Sequence, residues 1–202
     1  MNPRYYHNEV LETIAQKVIS KYDPSLLDTP APIPVDDIIE QLYGLTLEFQ
    51  FIRNNGRILG LTIFEDTMVP IFECRGGRGY ELVPVKAGTV IIDASLLECR
   101  SNGRYRFTCA HELAHWILHR ELFIRFGISA AMTGIARSAE TASIEWQANR
   151  LGGCLLMPKC TVKKAFYRIC DQIGNVTAVL AEMFDVSQQA MRIRLTELGL
   201  LQ

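Results

Sequence analysis

The stretch Cys109-Ala110-His111-Glu112-Leu113-Ala114-His115-Trp116-Ile117-Leu118-His119 holds two histidines four residues apart, with a carboxylate directly after the first. On a helix, positions i and i+4 share one face about 6 Å apart, so His111 and His115 can converge on one metal ion. Zinc–nitrogen bonds of about 2.0–2.1 Å suit that spacing without distorting the helix. Glu112 lies one step round, beside the ion rather than on it, where a carboxylate can take a proton from water. Leu113, Trp116 and Ile117, with the small Ala110 and Ala114, give the segment a helical pattern that a chance five-residue match would lack.

A catalytic zinc takes a third protein ligand and keeps one open position. His119 continues the i+4 series, but eight helical residues separate it from His111, about 12 Å along the axis and roughly 80° in direction. One tetrahedral ion is poorly served by that pair. His119 is expected instead near the helix C-terminus, where a partly charged imidazole suits the dipole. Glu145 is the better third ligand. It lies 30 residues beyond His115, on the next helical stretch Glu145-Trp146-Gln147-Ala148-Asn149. Asn149, four residues on and on the same face, can accept the Nδ1–H of a ligand histidine and so orient its ring. Glu140 has Ile144 at that offset and reads as a surface carboxylate. Cys109 lies two residues before His111, about 200° round the helix, which favours core packing over the metal.

Periodicity outlines the elements that must hold these groups. Val10, Leu11, Ile14, Val18 and Ile19 make 8–22 an amphipathic helix. Pro24, Pro30, Pro32 and Pro34 mark an irregular crossing, followed by a short helix with Val35, Ile38, Ile39 and Leu42 on one side and Gly44 as its stop. Alternation of Leu45, Leu47, Phe49 and Phe51 predicts a strand. Ile58–Phe64 and Met68–Phe72, split by Glu65-Asp66, predict a hairpin, Arg75–Gly79 a glycine-rich loop, and Thr89–Asp93 a buried strand. After Arg106 the pattern is helical, at about 107–120, 140–157, 161–172, 176–184 and 187–198. Strands first and helices afterwards predict an α+β fold: a zincin-like domain with a small antiparallel or mixed sheet over 1–158, and a helical subdomain over 159–202. Gly152-Gly153 in mid-helix costs about 1 kcal/mol per glycine against alanine. Close approach to the His111 helix and a simple kink account for it equally.

The composition excludes several classes. A formal net charge of −1 offers no general attraction to nucleic acid or to an anionic membrane. No apolar run is long enough for a transmembrane helix, and Met1 to Val10 lacks a signal-peptide pattern, so a cytosolic protein is expected. The six cysteines form no Cys-x-x-Cys pair and read as free thiols.

At these residues the chain resembles the ImmA/IrrE family of metallo-endopeptidases. The resemblance rests on Arg106-Phe107-Thr108 leading into His111-Glu112-Leu113-Ala114-His115, on Glu145-x-x-Ala148-Asn149, and on Leu155-Leu156-Met157-Pro158. Pro34-Val35-Asp36, the strand Gly88 to Asp93, and the ending Asp185-Val186-Ser187, Ala190, Arg194-Leu195 and Leu198-Gly199 extend it over most of the chain. Ala114 stands where glycine is commoner, and Leu151-Gly152-Gly153 replaces a usual Phe-Ala-Ala; neither change touches a ligand. The resemblance implies zinc on His111, His115 and Glu145 with Glu112 as catalytic base. It also implies a protein substrate, typically a helix-turn-helix repressor of a mobile element or stress regulon. Glu112 would accept the proton of the attacking water and pass it to the leaving amine. A Tyr, His or Arg often helps to stabilise the oxyanion, and Tyr167 and His119 are both candidates.

The rival reading lies at the C-terminus. Leu180 to Phe184, a turn, and Ser187 to Leu198 read as helix-turn-helix, with Gln188, Gln189, Arg192 and Arg194 available to a major groove. Residues 159–202 carry six basic and four acidic groups, thin for phosphate binding, so direct nucleic-acid binding is not expected. A DNA-binding or metal-sensing regulator without turnover is the alternative function. A metal site with no chemistry to perform has no use for Glu112.

Overall fold

The fold was analysed in a computed structural model that describes residues 4–52, 58–74, 79–98, 102–126, 139–170 and 174–201. It is an α+β architecture in which five strands precede most of the helical mass. Helix α1 (Asn8–Tyr22) buries Leu11, Ala15, Val18 and Ile19 on one face. A turn at Val35–Asp37 (α2) runs on as a wider π-helical turn at Ile38–Leu42, and Gly44 ends it with φ +64°. That left-handed conformation is the one glycine adopts without penalty.

The main sheet has three strands in the order β1-β5-β2, from β1 (Thr46–Gln50), β2 (Gly60–Ile63) and β5 (Thr89–Asp93). Strand β5 is central and buried along its whole length, as its continuous Thr-Val-Ile-Ile-Asp run requires. It pairs in parallel with β1 from Thr46↔Thr89 to Gln50↔Asp93, and antiparallel with β2 from Gly60↔Ile92 to Ile63↔Thr89. Strands β3 (Thr67–Phe72) and β4 (Tyr80–Val85) form a separate ribbon, tied to the first sheet by a bridge between Phe51 and Phe72.

The hairpin expected from 58–64 and 68–72 is therefore corrected. The two segments are not mutual partners, because β5 takes β2 on its open edge and β3 turns to β4 instead. Strand β5 is buried and hydrogen-bonded along both edges, and its partners come from distant segments, which is invisible within either segment alone. Residues 75–78 of the expected glycine-rich loop, and Cys99, lie outside the described residues.

Helix α3 (Asn102–Phe126) carries the histidines and is several residues longer at each end than its pattern predicted. It packs on β2 and β5 and, most extensively, on α4 (Ala139–Leu156). A Cβ added at Gly152 would lie 3.3 Å from the backbone of Ala110 and of His111, so the two helix backbones meet there. Ala110 and Ala148 are fully buried at the same seam. Close approach, rather than a kink, is what Gly152 serves.

Helices α5 (Lys159–Ile169), α6 (Val176–Met183) and α7 (Gln188–Glu197) follow. Leu180, Phe184, Met191 and Leu195 join the same hydrophobic cluster as Leu11, Ile39, Val90 and Leu113. Arg106 ties the start of α3 to both ends of the chain, donating to the carbonyls of Ile33 and Asp185. No helix among the described residues is long and apolar enough to cross a membrane.

Arg194, read from sequence as a groove-facing cation, is fully buried. Its guanidinium donates to both carboxylate oxygens of Glu12 on α1, at 2.6 and 2.8 Å, and its Nε donates to the carbonyl of Met157 at 2.9 Å. Burial pushes the Glu12 carboxyl up, but Arg194 outweighs this and holds it below its ordinary value. The pair's contribution is thus complete above the ordinary carboxylate range and lost as pH falls through the lowered value. Removing Glu12 leaves the buried Arg194 with the more distant Glu197, 3.9 Å away, as counter-charge, and breaking a buried pair typically costs about 3–5 kcal/mol. Urea titration of Glu12→Leu should therefore show a loss of that order, and the double variant Glu12→Leu/Arg194→Met should recover most of it. A single-variant loss below about 1 kcal/mol would show that the pair does not anchor α7.

Candidate metal centre

Three donors from two helices converge beside the end of β2. His111 and His115 project from one face of α3, with their Nε2 atoms 3.0 Å apart. Glu145, on the facing side of α4, places its carboxylate oxygens 3.3 Å from His111 Nε2 and 3.4 Å from His115 Nε2. These donor atoms all lie within 4.8 Å of one another. Tetrahedral zinc with bonds of about 2.0–2.1 Å has ligand–ligand edges of roughly 3.3 Å. The donor spacing and the N,N,O donor set fit such an ion.

The charge balance also suits a cation. Burial pushes the Glu145 carboxyl up, but hydrogen bonds from His111 and His115 outweigh it and hold the group well below the usual carboxylate range. His111 is pulled down by burial, yet Glu145 and Glu112 prevail and leave its pKa raised. The imidazoles and carboxylates of the cluster are thus electrostatically paired with one another.

Each imidazole of the donor set has a partner on its other ring nitrogen. His111 Nδ1 lies 3.0 Å from Oδ1 of Asn149, the amide four residues beyond Glu145. His115 Nδ1 lies 3.1 Å from Nδ1 of His119, one turn further along α3. His119 is not near the helix C-terminus, because α3 runs on to Phe126, and it carries no charge for the dipole to favour. It is 2% exposed, and burial, reinforced by His115, pushes its pKa down to about 3. The apolar continuation Leu122-Phe123-Ile124 carries the helix past the expected stop.

Glu112 lies beside the donor cluster, in the same cavity wall, and is held from β2. Its Oε2 accepts a 2.7 Å hydrogen bond from the hydroxyl of Thr62, which also lies 3.0 Å from the Glu112 carbonyl. Its Oε1 rests where a Cβ on Gly60 would approach to 2.6 Å. Sequence reasoning missed both Gly60 and Thr62. A glycine inside a strand was the available signal, since it often marks close approach by another group.

A cavity of about 320 Å³ opens over these groups, walled by Leu59, Leu61, Phe64, Phe107 and Phe123. Phe64 stacks on Trp116 and Phe123, at 5.8 and 4.7 Å between ring centroids, fixing that wall. Tyr167 and His119 are not among the residues that line it; Tyr167 sits 65% exposed on α5. Cys109 is fully buried in the core, and the Glu140 side chain lies outside the described residues.

Comparison with known proteins gives the fold a context. No curated protein matches the chain significantly. Among solved structures, a Mycobacterium tuberculosis transcriptional regulator is similar with a TM-score of 0.55 at 14% identity, over 95% of this chain and 56% of that one. At that identity the likeness concerns the fold, and this chain spans little more than half the length of the regulator. The family model of the IrrE N-terminal-like domain, Peptidase_M78, matches residues 95–196. That match covers α3, α4 and the helices that follow, with every donor described above, and more than half of the chain: this chain belongs to the Peptidase_M78 family, whose members are of the metallopeptidase type.

Proposed function

We propose that the chain is a zinc endopeptidase of the cytosol that hydrolyses a peptide bond in a protein substrate. The observation that carries this reading is the pairing of a His111–His115–Glu145 donor set with a separate carboxylate, Glu112, fixed beside it. A bound zinc ion would supply Lewis acidity, acidifying water and polarising a peptide carbonyl. Glu112 takes the proton of the attacking water and returns it to the leaving amine, in the general base and then the general acid role. Thr62 holds Oε2, leaving Oε1 to meet that proton. Asn149 orients His111.

The apolar cavity and the neighbouring β2 suit an extended peptide. Among the described residues β2 has a paired strand, β5, on one side, and its Gly60 and Leu61, with the preceding Leu59, line the cavity. Main-chain pairing to an open strand edge binds peptides with little demand on their sequence. We take the substrate to be a helix-turn-helix repressor, as in the family that the motifs resemble, with residues 159–202 as a helical subdomain able to dock it.

A regulator without turnover is the second reading, kept open by the likeness to a transcriptional regulator. Burial of Arg194 against Glu12 takes one of the four candidate groove-facing residues out of reach of DNA.

Four outcomes are expected. Elemental analysis should show that His111→Ala, His115→Ala and Glu145→Ala each lose bound zinc, while Glu112→Gln retains it; full zinc in Glu145→Ala would remove that residue from the ligand set. Co-expression with repressors from the same genetic neighbourhood should yield one specific fragment. General bases typically contribute about 10²–10⁴-fold, so Glu112→Gln should lose cleavage by that factor while still binding the repressor. Cleavage at a comparable rate with zinc in place would refute the mechanism. Gly60→Ala, which puts a methyl group into the Glu112 carboxylate, should lower kcat and leave zinc content unchanged. An unaltered kcat would show that the Gly60 contact has no part in the reaction.

A further inference from the structure

His119 has no place in the donor set, and its position is unusual for a spare histidine. Its Nδ1 faces His115 Nδ1 at 3.1 Å, its ring is buried, and its Nε2 has no hydrogen-bond partner among the described residues. Two ring nitrogens at that distance need one proton between them, donated by one ring and accepted by the other. The far nitrogen of His115, Nε2, faces His111 Nε2 and Glu145. For Nε2 to offer its lone pair to a cation there, the proton of His115 must sit on Nδ1. His119 Nδ1 must then be the acceptor, and the proton of His119 is left on Nε2.

We propose that His119 is a positioning residue that accepts the Nδ1–H of His115 and so fixes the tautomer and ring orientation with which His115 holds the metal. The inference rests on the metal reading above and deepens it. It makes His119 the counterpart of Asn149, which stands behind His111 in the same way through an amide oxygen. The i+4 spacing of His111, His115 and His119 thereby acquires a division of labour. The first two face the ion, and the third faces the back of the second. An imidazole meets the demand of this place better than a carboxylate, since the neighbouring ring is Phe123 and a buried anion would have no cation of its own.

The test is zinc affinity by chelator competition on the whole chain, for wild type, His119→Asn and His119→Leu. Asparagine and leucine have nearly the same shape, and both give up the ring volume of histidine. Asparagine keeps an acceptor oxygen near the place of Nδ1, and leucine does not. Loss of a group that orients a ligand histidine typically weakens metal binding about 10–100-fold. The proposal expects that rise in Kd for His119→Leu and a Kd within about threefold of wild type for His119→Asn. Equal weakening in both variants, or none in His119→Leu, overturns it. A wild type that takes up no zinc in the same titration sinks the metal reading itself, an outcome distinct from the other two. Should His119→Leu fail to fold, long-range ¹H–¹⁵N spectra of the zinc-loaded wild type decide the matter. The proposal requires Nδ1–H on His115 and Nε2–H on His119, and a proton on His119 Nδ1 contradicts it.

Discussion

The meeting of two helix backbones at Gly152 is the constraint on which the site depends. Helix α3 brings both histidines on one face, and only a neighbour held at short range can bring a short glutamate side chain to the same point. At Gly152 any Cβ would press on the backbone of Ala110 and His111, and Ala110 and Ala148 keep the rest of the seam small. With larger residues the helices would stand apart by the width of side chains, as helix pairs usually do at about 8–10 Å. The carboxylate of Glu145 would then no longer lie 3.3 and 3.4 Å from the two imidazoles. Packing density here is a condition for chemistry, since van der Waals contact sets the donor spacing.

One step round α3 a different problem is solved. There the backbone of β2 comes close enough for Gly60 and Thr62 to hold Glu112 in place. Glu112 and Glu145 are thus two carboxylates with different surroundings, one tied to a hydroxyl and the other to two imidazoles. Such a difference of environment is what commonly gives two acids in one site different roles. The buried Glu12–Arg194 pair acts at a distance from all this. It fastens α7 to α1 and keeps the C-terminal helices on the core that carries α3 and α4.

Much of the arrangement was legible because it is local. The faces of α3 and α4 follow from periodicity, and the pairs His111/His115 and Glu145/Asn149 need only the i+4 rule to be placed on common faces. What was not legible is non-local. The choice of β5 as partner for β2 depends on a distant segment: Ile63 pairs with Thr89, 26 positions on (89 − 63). Arg194 reads as a surface cation until Glu12 is found beside it, 182 positions earlier in the chain. Gly60 signals close approach by some group, but neither it nor Thr62 says that the group is Glu112, 52 and 50 positions later. His119 was misplaced for a simpler reason: the helix was ended too soon, so an interior residue was read as a terminal one.

X-ray absorption at the zinc edge of the loaded protein decides whether two imidazoles of α3 and one carboxylate of α4 hold the ion proposed above. Those ligands give a shell of nitrogen and oxygen alone at about 2.0–2.1 Å, with scattering from two imidazole rings. A sulfur neighbour at about 2.3 Å, or the signature of three imidazoles, would contradict it.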